Sequence, residues 1–148
     1  MIRRIFTLPF KERRRLHERA YRAQQRDHTE VCGVVAAGVN RVITLHFLIN
    51  RSDRPGHFEI DRGDLRRLNR KLRQSGQRFI GVFHSHIVGI AEPGPGDLSG
   101  ASLSHLQLVY DVCGRKACLW RVVKRGHTLS ALEVPLIIEQ RPRTNRNS

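Results

Sequence analysis

An unbroken non-polar run at residues 31–37, Val-Cys-Gly-Val-Val-Ala-Ala, is the strongest constraint on what this chain can fold into. It is shorter than an ordinary helix and is bounded by Glu30 and Gly38, which makes it a strand buried in the interior of a sheet. Residues 41–49 alternate well enough to be its antiparallel partner, with Gly38, Val39 and Asn40 supplying the turn. A second apolar run, 79–84, gives another buried strand. Residues 3–8 open the chain as a short strand, 57–60 form another, and 106–112, 117–124 and 129–138 finish the sheet. Helical spacing appears in three places. Over 9–25, Phe10, Leu16, Ala20 and Ala23 make an apolar stripe. After Asp61, a natural cap, Leu65, Leu68 and Leu72 repeat at helical intervals up to Gly76. A short helix is expected over 97–104, after a Gly/Pro-rich loop at 87–96. Helices and strands segregate rather than strictly alternate, so the expected class is α+β with a mixed, largely antiparallel sheet flanked by helices.

A length of 148 residues fits one domain, placed at 1–140, with a polar tail at 141–148. No apolar run is long enough to span a bilayer, and the first ten residues lack the apolar core of a signal peptide. A cytoplasmic protein with no membrane partner is therefore expected. Cys32, Cys113 and Cys118 form no C-x-x-C pair, which excludes a disulfide framework and gives no support to a cysteine-based zinc site. The 27 Lys and Arg against 13 Asp and Glu give a net charge of +14. All of the basic residues are Arg except Lys11, Lys71, Lys116 and Lys124. Such a balance admits a nucleic-acid or acidic-protein partner. Solvated helix faces account for it equally well, because the charges follow two helical patches rather than one aromatic-interleaved stripe.

The densest chemical signal is His84-Ser85-His86 followed eleven residues later by Asp97. Residues i and i+2 of a strand share a face, so His84 and His86 at a strand's end can aim two imidazoles at one point. The loop at 89–96 can swing Asp97 back toward them. Three protein ligands with one open position is the arrangement of catalytic zinc. A carboxylate close by that does not ligate can take a proton from water and pass it to a leaving amine. Glu30, heading the first apolar strand, is the candidate.

These residues resemble the JAMM (MPN-plus, or JAB) metallopeptidases. That family's pattern is a Glu opening a strand, here Glu30-Val31-Cys32-Gly33-Val34-Val35. A strand ending in His-Ser/Thr-His follows, here Gly81-Val82-Phe83-His84-Ser85-His86. Seven residues then precede a Ser, and two more an Asp. The match spans about 2–138, and the segment 58–72 also resembles the family's stretch before the metal strand. The resemblance implies the MPN fold, which is cytidine-deaminase-like, and one Zn²⁺ per chain held by His84, His86 and Asp97. It also implies that Glu30 is general base and then general acid, and that Ser85 supports the metal strand. The implied activity is peptide or isopeptide cleavage after the C-terminal Gly of a ubiquitin-like modifier. The modifier and its conjugates would then be partners, together with E1-like and E2-like operon proteins, in the setting of a bacterial antiphage conjugation operon.

One slot departs from the pattern. The family's Ser, which hydrogen-bonds the developing oxyanion or the water, is replaced by Gly94. Losing such a donor typically costs about 10²–10³ in kcat. Two rescues are open: the Gly94 backbone N–H, or the hydroxyl of Ser99 or Ser85. Cys32 and Trp120 are expected to pack, and His46, His57, His105 and His127 to lie at the surface or in turns. The alternatives to the hydrolase are a catalytically weak MPN-type scaffold and a nucleic-acid-associated JAMM-like protein. Scaffolds lose the ligand set that this chain retains. No RNP, helix-turn-helix or zinc-finger pattern accompanies the charge. The H-x-E and P-C-x-x-C pattern of a zinc deaminase is missing.

Overall fold

A computed structural model of the chain describes residues 5–100 and 102–144. Eight strands and three helices follow in the order β1 (Phe6–Leu8), α1 (Phe10–Asp27), β2 (Cys32–Ala37), β3 (Ile43–Leu48), α2 (Arg62–Gln74), β4 (Arg78–His86), α3 (Pro95–Ser99), β5 (Leu106–Asp111), β6 (Lys116–Arg125), β7 (Thr128–Val134) and β8 (Leu136–Ile138). Six strands form one sheet in the order β3-β2-β4-β5-β6-β7. Only the β4–β5 pair is parallel, so the expected mixed, largely antiparallel α+β architecture is present.

The apolar run over 31–37 becomes β2, buried along its whole length between β3 and β4. Its side chains alternate between two helical layers. Val35 joins Leu16 and Ala20 of α1, together with Phe83, Leu108 and Leu119. Val34 and Ala36 instead meet Leu72 on the other face, with Leu65, Leu68 and Phe79 packed around them. The sheet is thus covered by α1 on one side and α2 on the other. Gly81 lets β5 approach β4, because a Cβ there would sit 1.9 Å from the Leu106 carbonyl oxygen. Asp61 caps α2 by accepting the Asp64 N–H, and Gly76 ends it with a left-handed φ of 74°.

Several boundaries differ from expectation. The opening strand is β1 at Phe6–Leu8, while Arg3 and Arg4 lie outside the described residues, as do 145–148 of the tail. Residues 57–60 are not a strand. They belong to a loop pinned by Asn50, whose amide donates to Glu30 O and His57 O and accepts from Ser52 N and Glu59 N. The short helix begins at Pro95, which sits in the first turn where a missing N–H costs nothing. The last expected strand is split at Pro135. β8 leaves the sheet and pairs in parallel with β1, bringing Phe6 beside Leu136. The β1 residue Thr7 bridges to Val42, its N–H donating to Arg41 O. Beside it, the buried Glu12 of α1 accepts the Leu45 N–H of β3.

Candidate metal centre

The antiparallel register of β2 and β4 decides which side chains meet. Cys32 lies opposite His84. One residue on, the Ser85 N–H donates to Val31 O and the Val31 N–H donates to Ser85 Oγ. Ser85 is buried, so this two-point clamp locks the end of β4 to the start of β2. Opposed residues of an antiparallel pair project to the same face. His84 and His86 therefore share a face with Cys32 and with Glu30, which comes next along the register. That face is the α2 side of the sheet.

Asp97 arrives from α3. Its Oδ2 lies 3.2 Å from His84 Nε2 and 3.4 Å from His86 Nε2, and the two imidazole nitrogens are 3.1 Å apart. A zinc ion with bonds of 2.0–2.1 Å in tetrahedral geometry would need donors about 3.3 Å apart. The triangle of donor atoms fits. The surroundings fit as well. The Ile90 carbonyl oxygen lies 2.7 Å from His86 Nδ1, so Nδ1–H donates there and the Nε2 lone pair is left facing Asp97. His84 is fully buried, and no protein group among the described residues meets its Nδ1. Its ring is held by stacking instead: Phe58 lies over it with centroids 4.5 Å apart and planes 16° from parallel. The Asp97 backbone carbonyl accepts from Gln107 Nε2, and the loop before α3 is tied down by Trp120 Nε1 donating to Ala91 O.

The protonation states follow from these contacts. Burial disfavours the Asp97 charge, yet the two imidazoles and the Gly94 N–H outweigh it and hold the carboxyl well below the usual range. Burial pushes His84 down, toward the neutral ring that a metal requires. The Asp97 carboxylate pulls His86 up. Glu30 is pushed up to about 7, chiefly by burial; His86 works against the rise and Asp97 adds to it. A carboxyl that changes state near neutrality, on the same face as three metal-type donors, is equipped to accept and return a proton. The Cys32 thiol is pushed up to about 12 by burial and by Glu30, which removes it as a nucleophile.

Neither rescue for the missing Ser is available. The Gly94 N–H donates to Asp97 Oδ2 at 2.8 Å, so it holds the ligand rather than facing a substrate. Ser99 Oγ donates to Gly96 O within its own helix. Ser85 is buried and lies between His84 and His86 along β4, so its hydroxyl projects to the opposite face of the sheet. The site opens into a cleft of about 1180 Å³, lined among others by Glu30, Phe58, Leu65, His86, Gly94 and Asp97. That is room for a length of extended peptide. Phe58 opens the segment 58–72 that resembles the family's stretch before the metal strand, but no spacing ties it to His84; the Ile90 carbonyl sits in an aperiodic loop. Gln107 and Trp120 sit on strands but have no spacing relation to the histidines.

Residues 13–123 match the family of prokaryotic homologues of the JAB domain. A desampylase from Pyrococcus furiosus is 35% identical over 71 residues, 48% of this chain and 51% of that protein, so the chain spans about half the length of the curated relative it matches. Among solved structures, a Desulfitobacterium hafniense protein superposes with a TM-score of 0.71 at 21% identity, covering 93% of this chain and 94% of that one. A JAB1/MPN domain protein from Archaeoglobus fulgidus gives a TM-score of 0.54 at 13% identity, covering 89% and 99%.

Proposed function

Since this chain belongs to the prokaryotic JAB-domain family, we propose that it is a zinc-dependent peptidase or isopeptidase acting after the C-terminal Gly of a ubiquitin-like modifier. The observation that carries the reading is the convergence of His84 Nε2, His86 Nε2 and Asp97 Oδ2, with Glu30 projecting from the neighbouring strand on the same face. The similarity to a desampylase supports the isopeptidase class.

The two imidazole nitrogens and the Asp97 carboxylate would hold the ion. When bound, it supplies a Lewis acid that lowers the pKa of water to roughly 7 and polarises a carbonyl. Glu30 takes the proton of the attacking water on its carboxylate and delivers it to the departing amine. Burial raises its pKa to about 7 in the metal-free chain, so its carboxylate is a better proton acceptor than an exposed one. Ile90 O and Phe58 keep the two rings oriented, and the Ser85 clamp fixes Glu30 relative to β4. A Gly-ended tail suits this centre because its missing side chains let the scissile carbonyl approach the ligand plane.

The test is a linear fusion of a ubiquitin-like protein, through its Gly-Gly end, to a reporter. The zinc-loaded chain is expected to release the reporter, and Glu30→Gln to lose about 10²–10⁴ in rate while keeping its metal. Elemental analysis should find one zinc per chain, lost in His84→Ala/His86→Ala. Failure of the zinc-loaded protein to cut any such fusion would overturn the reading.

A further inference from the structure

We propose that the outer face of α2 is a docking surface for the acidic face of the modifier protein whose tail enters the cleft. The inference rests on the proposed function and adds to it the chemistry of the folded part of the substrate.

Its basis is the distribution of charge around α2. The helix carries Arg62, Arg66, Arg67, Arg70, Lys71 and Arg73 against a single acid, Asp64. At about 100° per residue, Leu65, Leu68 and Leu72 form the buried stripe, with Asn69 beside Leu65. Leu65 and Asn69 both line the cleft. Arg62, Arg73, Arg66 and Arg70 fall in the adjoining arc on that side and are all exposed. None of the four has an ion-pair partner among the described residues. Arg67, on the opposite flank, is paired with Asp64, which also binds Arg51. The neutralised guanidinium thus lies away from the cleft, while the free ones run from its rim (Arg62, Arg73, Arg66) to the outward side of the helix (Arg70), with Lys71, unpaired among the described residues, on the far flank. Arg54 extends the basic rim from the neighbouring loop, and it too is exposed and lines the cleft.

Two features select protein carboxylates over nucleic acid. α2 carries no aromatic side chain on which a base could stack, although stacking is the usual companion of basic grooves that bind single strands. The aromatic side chains that line the cleft, Phe58 and Phe79, are already packed against His84 and His105. A modifier matches the rim by keeping its carboxylates on its folded body and sending in an uncharged tail. Arginine forks pair bidentately with such carboxylates.

The experiment uses the full chain and three probes. These are an acidic ubiquitin-like protein with a Gly-Gly-linked reporter, the isolated Gly-Gly tail peptide with the same reporter, and a short single-stranded RNA. Affinity for the first is measured by fluorescence anisotropy, independently of cleavage. Arg66→Glu/Arg70→Glu should weaken it at least tenfold at low salt, and the difference should shrink toward none at high salt. Arg66→Lys/Arg70→Lys should retain most of the affinity. Lys11→Glu/Arg22→Glu makes the same charge change on α1, across the sheet, and should alter it less than twofold. Where cleavage occurs, the tail peptide's kcat and KM should be the same for all variants. If the α1 variant weakens binding as much as the α2 variant, if neither does, or if RNA alone shows the α2 dependence, the proposal is overturned. Absence of cleavage with the α2-specific binding loss intact would refute the hydrolase reading and leave the docking surface standing.

Discussion

At the scale of single residues, Gly94 is the position where one atom group changes the chemistry. Its φ of −77° is ordinary for any residue, and a Cβ would meet only Asp97 Oδ2, at 3.5 Å. Gly94→Ser is therefore expected to fold and to raise kcat on a modifier fusion by up to about 10²–10³, the range set by restoring one oxyanion donor. An unchanged or lower kcat from a protein with normal metal content would show that the slot has no catalytic use in this chain. The Gly94 N–H is taken because the helix starts at Pro95, which makes Gly94 the N-cap and Asp97 the N3 residue whose carboxylate reaches back to the cap N–H; the expected start at 97 hid that relation. Glu30 sets the pH response. Acting as a base, it must be ionised, so kcat/KM should climb with pH through the Glu30 titration and level off above it; a cation held by His84, His86 and Asp97 would place that titration below the value of about 7 that burial sets in the metal-free chain. Stability runs the other way. The folded-state pKa lies above the ordinary 4.5, so the folded chain binds the proton more tightly than the unfolded one. The Glu30 contribution to the stability of the metal-free protein should therefore fall as pH rises from 4.5 to about 7. Metal-free Glu30→Gln should melt higher than the parent at pH 8, by roughly 2–4 °C per kcal/mol recovered, and no higher at pH 4.5. Equal melting at pH 8 would remove the claim of a strained carboxyl.

At the scale of elements, the loop between β3 and α2 does the work that sequence periodicity could not reveal. Asn50 anchors it by four hydrogen bonds, and it delivers Phe58 onto the His84 ring. Phe58→Ala should weaken zinc binding about tenfold or more, measured by chelator competition, with Phe58→Tyr close to the parent. Equal affinity in all three would reduce Phe58 to a wall of the cleft. The contrast with β4 is instructive. His84 and His86 were legible because a strand has a two-residue period, and Glu30 because an apolar run has a definite first residue. The pairing that puts Glu30 beside His86 is a long-range register, fixed by the Ser85 clamp and by burial of both strands, and no local pattern encodes it. The split at Pro135 was legible, since a proline cannot donate within a sheet, yet the apolar pattern on either side of it masked the break.

At the scale of the whole molecule, the sheet separates two chemistries. One face, under α1, is core. The other carries the ligands, the carboxyl and the cleft, with α2 along its rim. The β1–β8 pair stands outside that sheet, yet it governs how the sheet meets other molecules. β1 sits against the start of β3 through Thr7 and Val42, and β8 is what keeps β1 in place. Shortening the chain to end at Val134 would remove β8, loosen β1 and uncover the backbone at Val42 where the border strand β3 begins, while Glu12 keeps the Leu45 N–H covered. Such a truncated protein should self-associate on concentration, detectable as a growing hydrodynamic radius, whereas the full chain stays at one size. The small ribbon is thus a fender laid over one corner of the sheet, at Val42, while the cleft and β7 at the opposite border lie away from it.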